Sequence, residues 1–326
     1  MFLKLLAIAR NTFIETVRQP VYGVLLWVAA GLLMISPALA AFSLQAGDDI
    51  KVHKDVGLAT LLAYGLLAAV FSATGVITRE IEDHTVLTVV SKPVSRPLFL
   101  IGKYLGVSAA ILVGYYFLCL VLLMTIRHGV METAADKFDL PVLIFSGLAV
   151  GLSLIAATFG NYVYGWHFST ALTAWVVPLG TVAVGSVLFV AKDWTIQSPT
   201  KDFGDLQIVY ALAMTFCGIL ILTAFAVALA TRFSQVLTLM LCAGVYVLGL
   251  LSDYYLGRPA AEGKAWVYKV LYAGAPNFQF FWAGDALTQG NLIAPGHVAQ
   301  VAAYAALYSA AVLGLGVALF QTREVD

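Results

Sequence analysis

The chain alternates long apolar runs with short polar breaks. Arg18 to Asp48 encloses an uncharged run near 21–43, and Asp55 to Arg79 encloses 57–78. Further runs lie at about 101–126, 140–162, 168–190, 207–230, 233–252 and 299–320. Asp139 to Lys192 is too long for one crossing. It breaks at Asn161–His167, where Asn, Tyr, Trp and His gather as they do at a water–lipid boundary. A crossing helix needs about 20 mostly apolar residues, and each run supplies them. Barrel strands would be about 10 residues long with alternating polarity, which these runs are not. The pattern predicts an all-α polytopic transmembrane helix bundle of about eight spans, a single domain over 1–326, with both termini on one side.

Three segments outside the runs carry structure of their own. Residues 2–19 read as an amphipathic interface helix. At about 100° per residue, Phe2, Leu6, Phe13 and Val17 fall on one side and Lys4, Asn11, Glu15 and Arg18 on the other. Pro20 ends it and turns the chain into the bilayer. Residues 79–98 are the longest polar stretch on the same side. Arg79-Glu80-Ile81-Glu82-Asp83 places acids where the positive end of a helix dipole favours them, and Lys92-Pro93 stops that helix. The competing reading is a plain solvated hairpin. On the opposite side, 253–298 forms a long loop rich in aromatics, Tyr254, Tyr255, Trp266, Tyr272, Phe278 and Trp282 among them. Such a loop either caps a pathway or forms an aromatic belt. Ala38-Leu39-Ala40 resembles a signal-peptide cleavage site, but Glu15 and Pro20 do not suit a short basic leader, so the first run is expected to stay as a span.

Composition narrows the class. Hydrophobic residues make up 61% and charged residues 11%, with 18 basic against 18 acidic and a mean hydropathy of +0.91. A soluble globule of this length has too little charge here to cover its exterior. A soluble enzyme, a disordered chain and a nucleic-acid binder are excluded, the last because a balanced, sparse charge set builds no basic groove. Lys and Arg divide evenly between the two sides, but those nearest the membrane (Arg10, Arg18, Arg79, Lys92, Arg96, Lys103) lie on the terminal side. That side is therefore expected to be cytoplasmic.

No catalytic motif is found. Gly102-Lys103 lacks the earlier Gly and the subsequent Ser/Thr of a phosphate loop, so the chain does not hydrolyse ATP itself. The five His are scattered, and Cys119, Cys217 and Cys242 lie in apolar runs, so neither a metal site nor a disulfide is expected. The runs hold essentially no Asp, Glu, Lys or Arg, whereas ion-coupled carriers place ionisable groups mid-membrane. A charge-free pathway points to a hydrophobic or amphipathic cargo, or to a subunit that transmits force. Gly147-x-x-x-Gly151 and the Ala-rich run 299–311 are expected to let helices pack closely within the bundle.

Together the segments resemble the membrane subunit of type-2 ATP-binding-cassette exporters, the ABC type-2 permease family. Ala9-Arg10-Asn11-Thr12-Phe13-Ile14-Glu15-Thr16-Val17-Arg18 resembles the family's connecting helix. Glu80-x-Glu82-x-x-Thr85, then Ser91-Lys92-Pro93-Val94-Ser95-Arg96 and Gly102-Lys103, resembles its cytoplasmic coupling helix and the return into the membrane after it. Pro276-Asn277-Phe278, Gly284-Asp285-Ala286-Leu287 and Phe320-Gln321-Thr322-Arg323-Glu324 resemble the stretch before the last span and the cytoplasmic ending. His84 stands where the family often has Gly. Eight spans exceed the common six, the surplus pair being 140–190, since Ala230-Thr231-Arg232-Phe233-Ser234 resembles the turn between the family's fourth and fifth spans.

The resemblance implies a permease subunit in a bacterial inner membrane, multi-pass, with both termini cytoplasmic. Its implied partners are a cytoplasmic ABC ATPase, which binds the ATP and Mg, a second copy or a homologue of this chain, and membrane lipids; this chain is expected to hold no cofactor. Glu80, Glu82, Asp83, Thr85, Lys92 and Arg96 are the implied ATPase-coupling contacts, with Arg10, Glu15 and Arg18 on the interface helix. The alternative that stays open is an ATP-independent secondary transporter or channel.

Overall fold

The computed structural model describes residues 2–41, 49–82, 95–131, 137–199, 201 and 206–321. Among these the chain is all-α. Helices α1 (Phe2–Arg18), α2 (Pro20–Ala40), α3 (Asp49–Glu82) and α4 (Arg96–His128) are followed by α5 (Leu140–Tyr164), α6 (Phe168–Phe189), α7 (Gln207–Ala230) and α8 (Gln235–Ser252). A π-helical turn (Asp253–Gly257) leads into α9 (Arg258–Ala261), α10 (Trp266–Gly274), a 3₁₀ turn (Phe278–Phe281), α11 (Gly284–Gln289) and α12 (Pro295–Gln321). Eight helices, α2–α8 and α12, are long and apolar enough to cross a membrane. A helix is the natural state of such a run, because in lipid every backbone N–H and C=O must find its partner within the segment. Prolines mark starts: Pro20, Pro97 and Pro141 occupy first turns, where the missing N–H has no intrahelical role.

The centre of the bundle is α3, α4 and α7, each buried along most of its apolar length. Helix α4, 33 residues long, spans about 50 Å at ~1.5 Å per residue and is the element most others touch. Packing in lipid cannot rely on expelling water, so close approach depends on small residues. A Cβ at Gly114 of α4 would overlap the Tyr64 hydroxyl of α3 and come within 2.9 Å of the Tyr22 hydroxyl of α2. Tyr22 in turn donates to the Ala110 carbonyl at 2.8 Å. Gly147 and Gly151, expected to pack inside the bundle, instead have open space at both Cβ positions. Their side of α5 turns away from the rest of the chain, because α5 meets chiefly α6 and the pair joins the bundle at its rim, along α4 and the start of α2.

The helix ends are tied by charge. Arg96 Nη1 donates to the Phe320 and Gln321 carbonyls of α12 at 2.8 Å each, and Arg232, after α7, donates to the Leu319 carbonyl at 3.0 and 2.6 Å. Cations here meet the negative end of the α12 dipole. The start of α4 and the ends of α7 and α12 therefore share one face, and α1, which lies along the first turns of α4, gives it the term α1 face. On the far face, Arg127 at the end of α4 pairs with the fully buried Asp139 at 3.1 Å and donates to the Val187 and Val190 carbonyls at 3.0 and 2.9 Å. Asp139 also caps α5 by accepting from the Val142 N–H. One guanidinium thus holds the ends of three helices.

The far-face segment 253–298 is not simply a loop. Helix α8 continues through the π-helical turn into α9, and α12 already begins at Pro295. Between them Phe278 and Phe281 turn inward and are 1% exposed. They sit over the glycine notches Gly249 of α8 and Gly218 of α7. The Asn277 side chain caps this dip by accepting from the Gln279 N–H at 3.0 Å, and the Asn277 N–H donates to the Tyr304 hydroxyl of α12 at 3.1 Å.

Replacing Gly114 by Val is expected to cost roughly 1–3 kcal/mol through overpacking. Gly147→Ala is expected to be neutral or mildly stabilising, because the site is open and helical Ala gains about 0.5–1 kcal/mol over Gly. Thermal unfolding of the two detergent-purified variants checks both outcomes.

Candidate functional site

The site is built on the α1 face. Helix α1 ends with Arg18 in its last turn, which suits the dipole, and Gln19 adopts an extended conformation (φ −66°, ψ 129°) before Pro20 opens α2. The helix lies along the first turns of α4. Its seat is a pair of glycines one turn apart, Gly102 and Gly106. A Cβ at Gly102 would come within 2.6 Å of Ile8, and one at Gly106 within 2.5 Å of both the Ala9 carbonyl oxygen and Thr12. So the face of α1 turned to the bundle is Leu5, Ile8, Ala9 and Thr12, with Thr16 and Val17 also buried. Phe2, Leu3 and Leu6 stand exposed on the opposite side. Of the expected apolar face, Val17 is buried, Phe13 is half-buried, and Phe2 and Leu6 point away from the chain.

Lys103 of α4 is enclosed in this seat. It is 1% exposed, its ammonium lies 3.9 Å from a Glu15 carboxylate oxygen and 5.4 Å from the centre of the Phe99 ring. Phe99 stacks on Phe320 at 5.9 Å, and the Arg96 guanidinium lies 5.4 Å from the centre of that second ring. Cations against aromatic faces are attracted by the ring quadrupole, more strongly where water is thin. Thr12 Oγ1, Thr16 Oγ1 and Gln19 Nε2 are buried with no hydrogen-bond partner among the described residues. Beside them Asn11, Ile14, Glu15, Arg18, Gln19 and Pro20 line a notch of about 330 Å³ whose walls are about half polar.

The expected contact residues divide into three groups. Arg10 and Arg18 are exposed on α1, and Glu15 is half-buried beside Lys103. Arg96 is half-buried and bonded to the end of α12, so its described contacts lie within the chain. Glu80 and Glu82 belong to the last turn of α3, not to a separate helix; their side chains, and Asp83, Thr85 and Lys92 altogether, lie outside the described residues. The buried Lys103 was not expected as a site residue. Its signal in the sequence is Gly102-Lys103-x-x-Gly106, a small-residue pair spaced for close helix contact with a cation between them. Among the described residues no group of His, Cys, Asp or Glu is placed to hold a metal ion.

Residues 6–162 match the family described as ABC-2 family transporter protein. The chain carries an ABC-2 family transporter domain. The match begins in α1 and ends near the end of α5, so it takes in the α1 seat, the whole of α3 and α4, and the segment between them. The match and the eight apolar helices support a multi-pass membrane protein, and the matched family implies an ABC transporter with an ATPase partner. No curated protein and no solved structure matches it.

Glu15→Gln is expected to lower thermal stability by more than about 1 kcal/mol, because a buried ammonium loses a charged partner. Lys103→Met, which keeps the apolar stem and removes the charge, is expected to restore stability when combined with Glu15→Gln. A double-mutant cycle by thermal unfolding reads this non-additivity.

Proposed function

We propose that this permease drives outward transport on ATP hydrolysed by a separate cytoplasmic ABC ATPase, and that the ATPase docks on the α1 face. In this reading the α1 face is cytoplasmic, the membrane is a bacterial inner membrane, and two copies of this chain, or this chain and a homologue, pair with two ATPase subunits that bind the ATP and Mg. The observation that carries it is convergence. Helix α1, the acidic end of α3 and the start of α4, three elements inside the ABC-2 match, all meet on one face.

The distribution of charge supports the same reading. In the eight crossing helices Asp, Glu, Lys and Arg occur only within the first or last few turns. A bundle with no ionisable relay at mid-depth lacks the groups that proton-coupled carriers use, although carbonyls and hydroxyls alone can hold Na⁺. In this reading force enters from a face, and the α1 face offers exposed Arg10 and Arg18 and the notch beside them. Charge-assisted bonds from these groups to a partner's opposite charges would supply most of the docking energy. The seat of α1 is suited to movement, because it buries three polar atoms that have no hydrogen-bond partner among the described residues. A pull on the 80–94 segment would shift α3 and α4 directly, since that segment joins them.

Replacing Glu80 and Glu82 together by Lys is expected to leave the protein inserted in the membrane but to abolish co-purification of the ATPase. Recovery of the complex at wild-type yield would reject the docking site. Substrate flux through the purified permease alone, without ATPase or nucleotide, would instead show an ATP-independent transporter or channel.

A further inference from the structure

A second cavity lies far from the α1 face, where the α5–α6 pair meets α4 and the end of α2. It has a volume of about 330 Å³, and Phe117, Met124, Val142, Ala149, Val176 and Val184 give its character. Its hydroxyls offer little to a polar guest. Thr125 donates to the Leu122 carbonyl at 2.9 Å and Ser146 to the Val142 carbonyl at 2.6 Å, each within its own helix. Water in such a cavity would lack the two to four polar partners it needs. Met124 of α4 packs with Val142 and Ala149 of α5 and Ala183 and Val187 of α6 in an apolar cluster of their own beside the main core.

Depth and rim identify the guest. On α4 the lining runs from Phe117 to His128, about 16 Å at ~1.5 Å per residue. That is one leaflet of a hydrocarbon core about 30 Å thick. The run ends at the last residue of α4, where polarity returns. The exposed Lys192 places its ammonium 3.4 Å from the His128 carbonyl, and His128 Nδ1 is buried without a hydrogen-bond partner among the described residues. Neighbouring charges are already engaged: Arg127 and Asp139 pair with each other, and Asp193 accepts from the Thr195 hydroxyl and N–H at 2.7 and 3.3 Å. The 190–196 turn that carries Lys192 also holds Trp194 at φ +63°, a strained value for a non-glycine residue, with its ring 6.3 Å from Phe145 of α5. The turn is thus fixed over the α5 wall, with a cation above an apolar slot.

We propose that this cavity is a lipid site, holding one acyl chain of an anionic phospholipid from the leaflet remote from α1, with the phosphate at Lys192 and His128. The α5–α6 pair is then not only a peripheral addition: its contact with the bundle is completed by a lipid chain.

The test uses the full-length protein in vesicles of phosphatidylcholine with a minor fraction of phosphatidylglycerol carrying a photoactivatable diazirine. A diazirine at the chain end is expected to label Phe117, Leu120 or Val176, and one near the glycerol to label Met124 to His128. Gly180→Phe fills the slot from α6 and is expected to remove this labelling; Gly180→Ala, whose Cβ would sit an ordinary 3.4 Å from Leu120, is expected to retain it. Gly151→Phe, on the open side of α5, is expected to leave it unchanged. Lys192→Ala is expected to reduce the preference for phosphatidylglycerol over the same probe on phosphatidylcholine by about fivefold. Labelling spread equally over the exposed faces of α8 and α5, or unchanged in Gly180→Phe in a protein that elutes normally, overturns the proposal. So does a crosslink from these residues to a second copy, or a non-lipid solute found there by native mass spectrometry.

Discussion

Close backbone approach to α4 is the constraint on which the rest depends. In a bilayer, helices gain nothing by hiding apolar surface from lipid, so a bundle holds only where backbones come near enough for dense contact. Helix α4 provides this with glycines at successive depths. Gly102 and Gly106 seat α1, and Gly114 admits the hydroxyl ends of Tyr64 and Tyr22. The same device recurs around it, as Gly65 of α3 receives Ile219 of α7 and Gly57 receives Leu122. Filling the Gly106 notch pushes α1 as a whole, because the atom met there is a backbone oxygen, whereas at the other notches a buried side chain must shift.

Charge then works at the two faces and not between them. On the α1 face Arg96 and Arg232 close the end of α12, and Lys103 meets Glu15 across the α1–α4 seat. On the far face Arg127 and Asp139 hold the ends of α4, α5 and α6. A buried pair of this kind adds little net stability over apolar residues of similar size, but it severely penalises any arrangement that parts the partners. These contacts fix which helix ends lie together.

The α5–α6 pair stands apart from this logic. It is bound tightly to itself, touches the bundle along α4 and the start of α2, and leaves a lipid-depth slot between. The dip of Phe278 and Phe281 on the far face is its counterpart, a place where the protein fills its own gap with aromatic side chains. One seam is closed by the chain and the other is left for a guest.

Eight crossing helices, the break near Asn161–His167 and the helix before Pro20 were legible in the sequence, because length, apolarity and proline act locally and lipid permits few alternatives. The resemblance carried by residues 9–18 and 80–103 was legible too, and the ABC-2 match spans both. What sequence could not rank was contact. Gly147-x-x-x-Gly151 and Gly102-x-x-x-Gly106 carry the same spacing, yet the first faces open space and the second seats a helix. Lys103 reads as a charge flanking a span, yet it is enclosed because α1 folds back over it. Phe278 and Phe281 read as part of an aromatic loop, yet they enter the core. Local pattern sets which segments are helices and how often they cross. Which face of each helix meets which neighbour depends on residues far apart in the chain, and only the tertiary structure brings those together.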